Sequence, residues 1–243
     1  MAVEKFIVKF AQTEKEKNAT YALRYNDMVK EYNPDKEIEC GLDITEHDAV
    51  AKQIICVDTD TDEVVGCYRI LCSQWMKEGS RFQTEDEFDI SELKATGENI
   101  VELSRAVIKK EYRNTTVLMN LLRFIMKYIM DGDFRFVIGE TSFFGTDKQA
   151  LQEEISYLTL FHGVEDFDIK ALQKNDLAIL PKEQINQAEV KRKLPPLVRA
   201  YIGFGAKIGK EAFADYDFGS VDVFTLMDTQ NYNTDYIQRF LRI

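Results

Sequence analysis

The chain has 243 residues, 45% hydrophobic and 30% charged, enough apolar length to bury a core and too little polar bias for wholesale disorder. Its 12 glycines and 4 prolines exclude collagen-like and proline-rich chains. Asp and Glu number 42 against 31 Lys and Arg, and the net charge of -11 repels phosphate backbones, so nucleic acid is not an expected partner.

The first ten residues lack a basic region followed by an apolar stretch, so no secretory signal is expected. No apolar run approaches the ~20 residues of a membrane span. The most apolar segment, 117–130, is broken by Asn120, Arg123 and Lys127. Cys40, Cys56, Cys67 and Cys72 form no CxxC pair, and His47 and His162 lie far apart. Neither a metal site nor a disulfide framework is expected, and the chain reads as a cytoplasmic protein of a reducing compartment.

In chain order, residues 5–10 alternate as a strand. Residues 13–32 form a charge-rich helical stretch that Asn33-Pro34 ends. The β-branched runs 50–57 and 64–71, separated by five Asp and Thr residues, read as a hairpin. Residues 73–98 are polar and irregular, a loop with a short helix over the surface. A strand over 99–108 precedes a helix from 117 whose apolar stripe is widened by Met119, Phe124 and Met130 until it reads as packed on most sides. A strand over 134–138 and a helix over 148–161 follow. Residues 164–193 read as a surface excursion, then come a helix opened by Leu194-Pro-Pro196, a strand over 222–227 and a terminal helix over 233–241. No repeat or linker divides the chain. The expected fold is one α/β domain over residues 1–243, with a mixed central sheet flanked by helices.

The strand Asn99-Ile-Val-Glu-Leu-Ser-Arg-Ala-Val-Ile108 carries the chemistry. Apolar residues on both alternations mark it as central, yet it contains Glu102 and Arg105. Glu102 and Ser104 share one face, and Arg105 takes the other unless a bulge intervenes. A buried carboxylate or guanidinium needs a partner or a wet cleft. Arg69, in Val64-Val-Gly-Cys-Tyr-Arg-Ile-Leu71, places a second charge on an apolar strand, so the two strands predict a polar cavity in the sheet. Arg24 and Asp43 are candidates for its rim, although each alone reads as a solvated charge.

Beyond the strand, a basic turn of Lys109, Lys110 and Arg113 leads to Asn114, Thr115 or Thr116 as N-cap of the apolar helix. This strand–turn–helix layout resembles the acyl-thioester site of the GNAT acyltransferase superfamily. The resemblance implies that the strand backbone binds pantetheine and that the helix start meets the pyrophosphate of coenzyme A. The superfamily's glycine-rich turn is replaced by the glycine-free Arg113-Asn-Thr-Thr-Val-Leu118, which argues against coenzyme A as the natural donor.

Arg24-Tyr-x-x-Met28, Leu42-Asp43, Val65-Gly-Cys-Tyr-Arg-Ile-Leu71, Glu102-Leu-Ser-Arg105 and Glu111-Tyr-Arg113 follow one another as in the ornithine–acyl carrier protein N-acyltransferases. The blocks Leu194-Pro-Pro-Leu-Val-Arg-Ala-Tyr-Ile-Gly-Phe-Gly-Ala206 and Asp215-x-Asp-Phe-Gly-Ser-Val-Asp-Val-Phe224, with Tyr236-x-x-x-Phe240, are also similar to that family. The Glu102 and Arg69 motifs resemble the acyl-homoserine-lactone synthases as well. Where the family has an Asp-His pair this chain has His47-Asp48, and the family's Gly-Arg is Ser104-Arg105.

The resemblance implies an N-acyltransferase that moves a long acyl chain from acyl carrier protein to the amine of an ornithine-like amino acid. Alternatives are an acyl-homoserine-lactone synthase, an acetyl-coenzyme A-dependent acetyltransferase and a non-catalytic acyl-binding protein. No cofactor is bound on this reading, and the acyl-phosphopantetheine thioester is a substrate. The expected catalytic set is Glu102, Arg69, Ser104 and Arg105, with Glu102 as general base for the amine. Arg24 and Asp43 hold the substrate, and backbone amides of Ala106, Val107 and Ile108 meet the thioester oxyanion. A Cys67 or Cys72 nucleophile is the rival route, without a sequence-local histidine to activate it. An acidic carrier needs cations, for which Lys109, Lys110 and Arg113, followed by Arg123 and Lys127, are the first candidates. Lys191, Arg192, Lys193 and Arg199 are the second. Any membrane contact is expected to be peripheral.

Overall fold

The computed structural model describes residues 5–173 and 177–242. Its strands are β1 (Phe6–Phe10), β2 (Lys52–Asp58), β3 (Glu63–Cys72), β4 (Phe88–Asp89), β5 (Ile100–Ile108), β6 (Phe136–Phe144), β7 (Lys170–Ala171), β8 (Lys207–Asp215) and β9 (Ser220–Asp228). The helices are α1 (Glu14–Arg24), α2 (Lys30–Tyr32), α3 (Ser91–Ala95), α4 (Val117–Asp131), α5 (Gln152–His162), α6 (Gln187–Lys193), α7 (Pro196–Phe204) and α8 (Thr234–Arg242). The seven-stranded sheet runs β1-β2-β3-β5-β6-β9-β8, and β4 pairs with β7. The β5–β6 ladder is parallel and the β6–β9 and β8–β9 ladders antiparallel, which is the mixed α/β sheet expected. Among the described residues no helix is long and apolar enough to cross a membrane.

The chain forms two compact units, and β5 contributes to both. The first comprises Met1–Arg81 and Leu103–Asp133. A capping box opens α1, with Glu16 N–H donating to Thr13 Oγ1 at 3.2 Å and Thr13 N–H to Glu16 Oε2 at 3.0 Å. The helix expected over 13–32 is interrupted by a wide π-turn, Tyr25–Val29, which buries Tyr25, Met28 and Val29 before α2 ends at Asn33. β2 and β3 form the expected hairpin, shifted in register at Cys56/Val57. At Gly66 a Cβ would lie 2.7 Å from Val117 Cγ1, so the absent side chain is what lets α4 settle on β3. α4 buries Val117, Leu121, Leu122, Ile125, Met126 and Ile129 on one stripe. Met119 and Phe124 are only half-buried and Met130 is exposed, so the helix is one-sided rather than packed on most sides.

The second unit comprises Phe82–Glu102 and Phe134–Ile243. β5 and β6 pair from Ile100↔Phe136 to Glu102↔Ile138, and β6 pairs with β9 along its whole length. The core beneath β8 and β9 gathers Ile155, Tyr157, Leu158, Val190, Val198, Ile208, Val221 and Val223. Two expected surface segments contribute to the interior. Within 73–98, Phe82, Phe88, Ile90 and Leu93 are buried, because a turn at Gln83–Asp86 and the short β4 and α3 direct them inward. Within 164–193, Val164, Ile169, Leu177, Ile185 and Val190 are buried, spaced too irregularly to show a period. Residues 174–176 of that segment lie outside the described residues. β8, which the sequence reading passes over, completes one edge of the sheet.

Candidate active site

In the first unit, charges read as rim residues are interior. Arg24, at the end of α1, is fully buried. Its Nε donates to Asp43 Oδ2 at 2.8 Å, while Nη1 and Nη2 grip the two oxygens of Asp48 at 2.8 and 3.0 Å. Asp48 also accepts from Thr45 N–H at 2.8 Å and Gln53 Nε2 at 2.9 Å. Arg69 on β3, fully buried too, donates through Nε to Ser104 Oγ at 3.0 Å and through Nη1 to Thr45 Oγ1 at 2.7 Å. It lies 3.6 Å from Asp48 Oδ2, and Arg105 Nε lies 3.3 Å from Asp43 Oδ2. Arg24, Asp43, Arg69, Ser104 and Arg105 thus meet in one network. Asp48, absent from the expected set, is its most connected carboxylate.

Mutual compensation sets the charge states. Burial opposes ionisation of Asp48, but the hydrogen bonds and charge of Arg24 and the charge of Arg69 outweigh it and bring its pKa down to about 2. Asp43 is lowered in the same sense, with burial opposing and the Arg105 and Arg24 charges prevailing. Burial likewise opposes the Arg24 charge, and Asp48 and Asp43 raise its pKa regardless.

Arg105 has φ 53, in the left-handed region that β-strand residues avoid. This kink departs from the regular strand, and with strict alternation broken there, neighbouring Ser104 and Arg105 can both serve the same network. A non-glycine residue held there stores about 1–3 kcal/mol of strain, of the kind that collects at working sites.

In the second unit, Glu102 is fully buried. Glu102 accepts three bonds from the Gln83–Asp86 turn: Gln83 N–H to Oε2 at 3.1 Å, Thr84 N–H to Oε1 at 2.7 Å and Thr84 Oγ1 to Oε1 at 2.6 Å. Gln83 Nε2 reaches Glu140 Oε2 on β6 at 2.5 Å. Gln83, Thr84 and Glu140 have no counterpart in the sequence reading. Two of the three bonds to Glu102 come from backbone amides, which leave no residue signature.

Burial weighs against the two thiols of the rival route. Burial pushes Cys67 and Cys72 up to about 12, where the thiolate is scarce near neutrality. The expected cations are partly spent. Arg113 forks onto Glu31 and also donates to the carbonyls of Ile108 and Asp27, and Lys109 pairs with Glu63. Lys110 is exposed. Lys193 pairs with Glu153 and Glu189, whereas Arg192 and Arg199 stand exposed. Thr116 precedes α4 without a side-chain cap, while Thr115 Oγ1 donates to Tyr112 O at 2.6 Å and accepts from Val117 N–H at 3.4 Å.

A family model described as an acetyltransferase (GNAT) domain matches residues 23–123. The chain is 30% identical over 232 residues to an L-ornithine N(alpha)-acyltransferase of Rhodobacter capsulatus, covering 92% of this chain and 90% of the relative. A Brucella abortus protein of the same name is 28% identical over 246 residues, covering 96% and 88%. Among solved structures, an N-acyl amino acid synthase from uncultured soil microbes aligns over 95% of both chains with TM-score 0.53 and 9% identity, a likeness of fold. A CoA-dependent acyl-homoserine lactone synthase aligns over 92% of this chain and 79% of its own with TM-score 0.52 and 10% identity. The sheet and its helices are therefore of the GNAT type, and the chain, an acyltransferase, belongs to the family of the L-ornithine N(alpha)-acyltransferases.

Proposed function

We propose that this acyltransferase moves a long acyl chain from the phosphopantetheine thioester of an acyl carrier protein to the α-amine of ornithine or a closely similar amino acid. The observation that carries the reading is similarity along nearly the whole length to relatives named for ornithine Nα-acylation. Glu102 removes a proton from the α-ammonium, directly or through one water. An ionised carboxylate offers about four lone-pair sites, three of which the 83–84 turn fills, so one stays open for that proton. The freed nitrogen attacks the thioester carbonyl, and the tetrahedral oxyanion is met by backbone amides of Ala106, Val107 or Ile108. The C–S bond then breaks, the amide forms, and the pantetheine sulfur leaves as a thiol with a proton from the attacking nitrogen. No covalent enzyme intermediate is needed, in keeping with the burial that raises the Cys67 and Cys72 thiols. The network of Arg24, Asp43, Asp48, Arg69, Ser104 and Arg105 fixes the kinked part of β5 and presents charge to the substrates.

Two observations favour a carrier-bound donor. The turn over 113–118 has no glycine to let a backbone approach a pyrophosphate, and Arg113 is already held by Glu31. Lys110 is an exposed cation on that side for an acidic carrier, and the exposed Arg192 and Arg199 form the second candidate surface. Mass spectrometry of reactions with ornithine, and with acyl carrier protein or coenzyme A carrying the same acyl chain, tests the whole reading. N-acyl-ornithine with a higher kcat/KM for the carrier-bound donor is expected. A clearly higher kcat/KM for the coenzyme A form overturns the donor, and absence of acyl-ornithine with either overturns the acceptor.

A further inference from the structure

The second unit contains a cavity of about 150 Å³ that the proposed reaction leaves unused. Its floor is apolar, with Phe136 and Phe167 meeting edge to face at 5.5 Å between ring centres, beside Leu226. The loop after α5 forms one wall, held to the start of β8 by Val164 N–H, which donates to Ile208 O at 2.9 Å. Lys207, Glu165 and Asp166 line the cavity and are exposed. Among the described residues none of these three enters an ion pair. Asp228, a further lining residue, is already occupied: it accepts from Arg135 Nη2 at 2.9 Å, Asn231 Nδ2 at 2.6 Å and Gln230 N–H at 2.9 Å. Strand register sets the cavity apart from the proposed general base. Glu102, Ile138, Leu226 and Lys207 are successive Cα partners across β5, β6, β9 and β8. Three strand spacings of ~4.8 Å put Lys207 about 14 Å from Glu102.

An apolar floor rimmed by one ammonium and two carboxylates is the complement of a molecule with one carboxylate, two ammonium groups and a methylene chain between them. We propose that this cavity is an accessory binding site for a basic α-amino acid. Lys207 takes the α-carboxylate, Glu165 and Asp166 take the two ammonium groups, and the methylenes lie over Phe136, Phe167 and Leu226. A closed cavity of about 150 Å³ holds a benzene-sized molecule. A longer basic amino acid therefore keeps its charged groups at the mouth, where the three exposed side chains stand. The surplus of negative charge on the rim disfavours acidic amino acids, and the single cation favours an amino acid over a diamine. The amines of extended ornithine are only about 6 Å apart across staggered bonds, so a molecule seated on Lys207 does not bring its α-nitrogen to Glu102. The site is thus separate from acyl transfer and stands or falls without it.

Hydrogen–deuterium exchange mass spectrometry of the full chain, titrated with ornithine and no acyl donor, locates the binding as well as detecting it. Exchange should slow in peptides covering 163–167 and the start of β8. Norvaline, which lacks the distal ammonium, and 1,4-diaminobutane, which lacks the carboxylate, should protect the same peptides only at higher concentration. Lys207→Met should raise the ornithine concentration for half-protection at least about fivefold, the size that divides a charge-assisted contact from a solvent-screened one, and leave diaminobutane within about twofold. Lys207→Arg keeps the charge and should stay near wild type. The double variant Glu165→Gln and Asp166→Asn should weaken ornithine and diaminobutane alike, and serves if Lys207→Met melts early. Protection confined to peptides over 82–102, or none at millimolar ornithine, overturns the site. So does equal half-protection in wild type and a folded variant. Acyl transfer is measured separately, and its success or failure leaves each of these outcomes unchanged.

Discussion

The two units bury acidic groups in opposite ways. The first surrounds Asp43 and Asp48 with guanidinium groups, so that each charge meets a formal counter-charge at hydrogen-bond or ion-pair distance. The second buries Glu102 against two backbone amides and one hydroxyl, all neutral donors. A carboxylate locked to a bidentate arginine has little freedom to exchange a proton near neutrality. One held by dipoles keeps an open acceptor position. This difference sets the two clusters apart more sharply than burial does, since Arg24, Arg69 and Glu102 are all fully buried.

The harshest way to break the comparison is to remove a counter-charge. Arg24→Ala takes three hydrogen bonds from Asp43 and Asp48 while both remain inside. Breaking one side of a buried pair typically costs about 3–5 kcal/mol. Denaturant unfolding should show a loss of that size. A loss below about 1 kcal/mol would put the network in the class of solvent-screened pairs and remove its claim to be a frame.

Glu102→Gln comes next, and its outcome divides between stability and turnover. A glutamine cannot present acceptors at both oxygen positions. Its NH2 must face either Gln83 N–H or the two Thr84 donors. The substitution is therefore not a neutral isostere. It should destabilise by about 1–3 kcal/mol, the penalty of an unsatisfied buried donor. Turnover at saturating amine should fall about 10²–10⁴-fold, as for loss of a general base. A variant that melts early yet turns over within a few-fold of wild type would make Glu102 an anchor for the 83–86 turn and nothing more.

Acid offers a gentler probe of the same contrast. Asp48 is held at about 2 in the folded protein against an ordinary 3.8. A lowered folded pKa contributes stability that is complete above the unfolded value and is lost as pH falls through the folded one. Between those two values, unfolding titrations should lose about 2 kcal/mol from this residue, at 1.36 kcal/mol per unit. Asp43, lowered by Arg105 and Arg24 against the effect of burial, adds in the same direction. In Asp48→Asn the decline over that window should be shallower than in wild type. Equal slopes would place the acid sensitivity elsewhere.

What the sequence makes legible follows from which contacts carry side-chain signatures. Glu102 and Arg69 stand out because each interrupts an apolar strand, and periodicity exposes such interruptions. Arg24 does not, since it ends a charge-rich helix and only the tertiary fold reveals that this end of α1 is interior. Asp48 is hidden in the same way, inside the short turn Glu46–Ala49. The partners of Glu102 are hidden for a different reason: any residue other than proline supplies an N–H, so the Gln83–Asp86 turn has no motif to read. The Arg105 kink is foreseeable only as an alternative to strict alternation, because a left-handed arginine depends on its surroundings. β8 escapes notice because its register shifts between Ile208 and Ala212, which breaks the two-residue period.

The smallest expected effect concerns a third way to bury an ionisable group, which is to leave it neutral. Burial raises Cys56, Cys67 and Cys72 to about 12, helped at Cys56 by the Asp58 charge and outweighing at Cys67 and Cys72 the nearby cations and hydrogen bonds that favour the thiolate. Cys40 alone among the four is exposed. Alkylation of the native protein with iodoacetamide, mapped by peptide mass spectrometry, should label Cys40 and spare the other three, because reaction requires both access and thiolate. Cys67→Ala and Cys72→Ala should retain turnover within about twofold while losing roughly 1 kcal/mol or more of stability as small cavities open in a packed core. If either variant lost activity without losing stability, or if native Cys67 or Cys72 alkylated readily, a thiol would be taking part in acyl transfer. The direct attack assigned to the amine that Glu102 deprotonates would then give way to a covalent route.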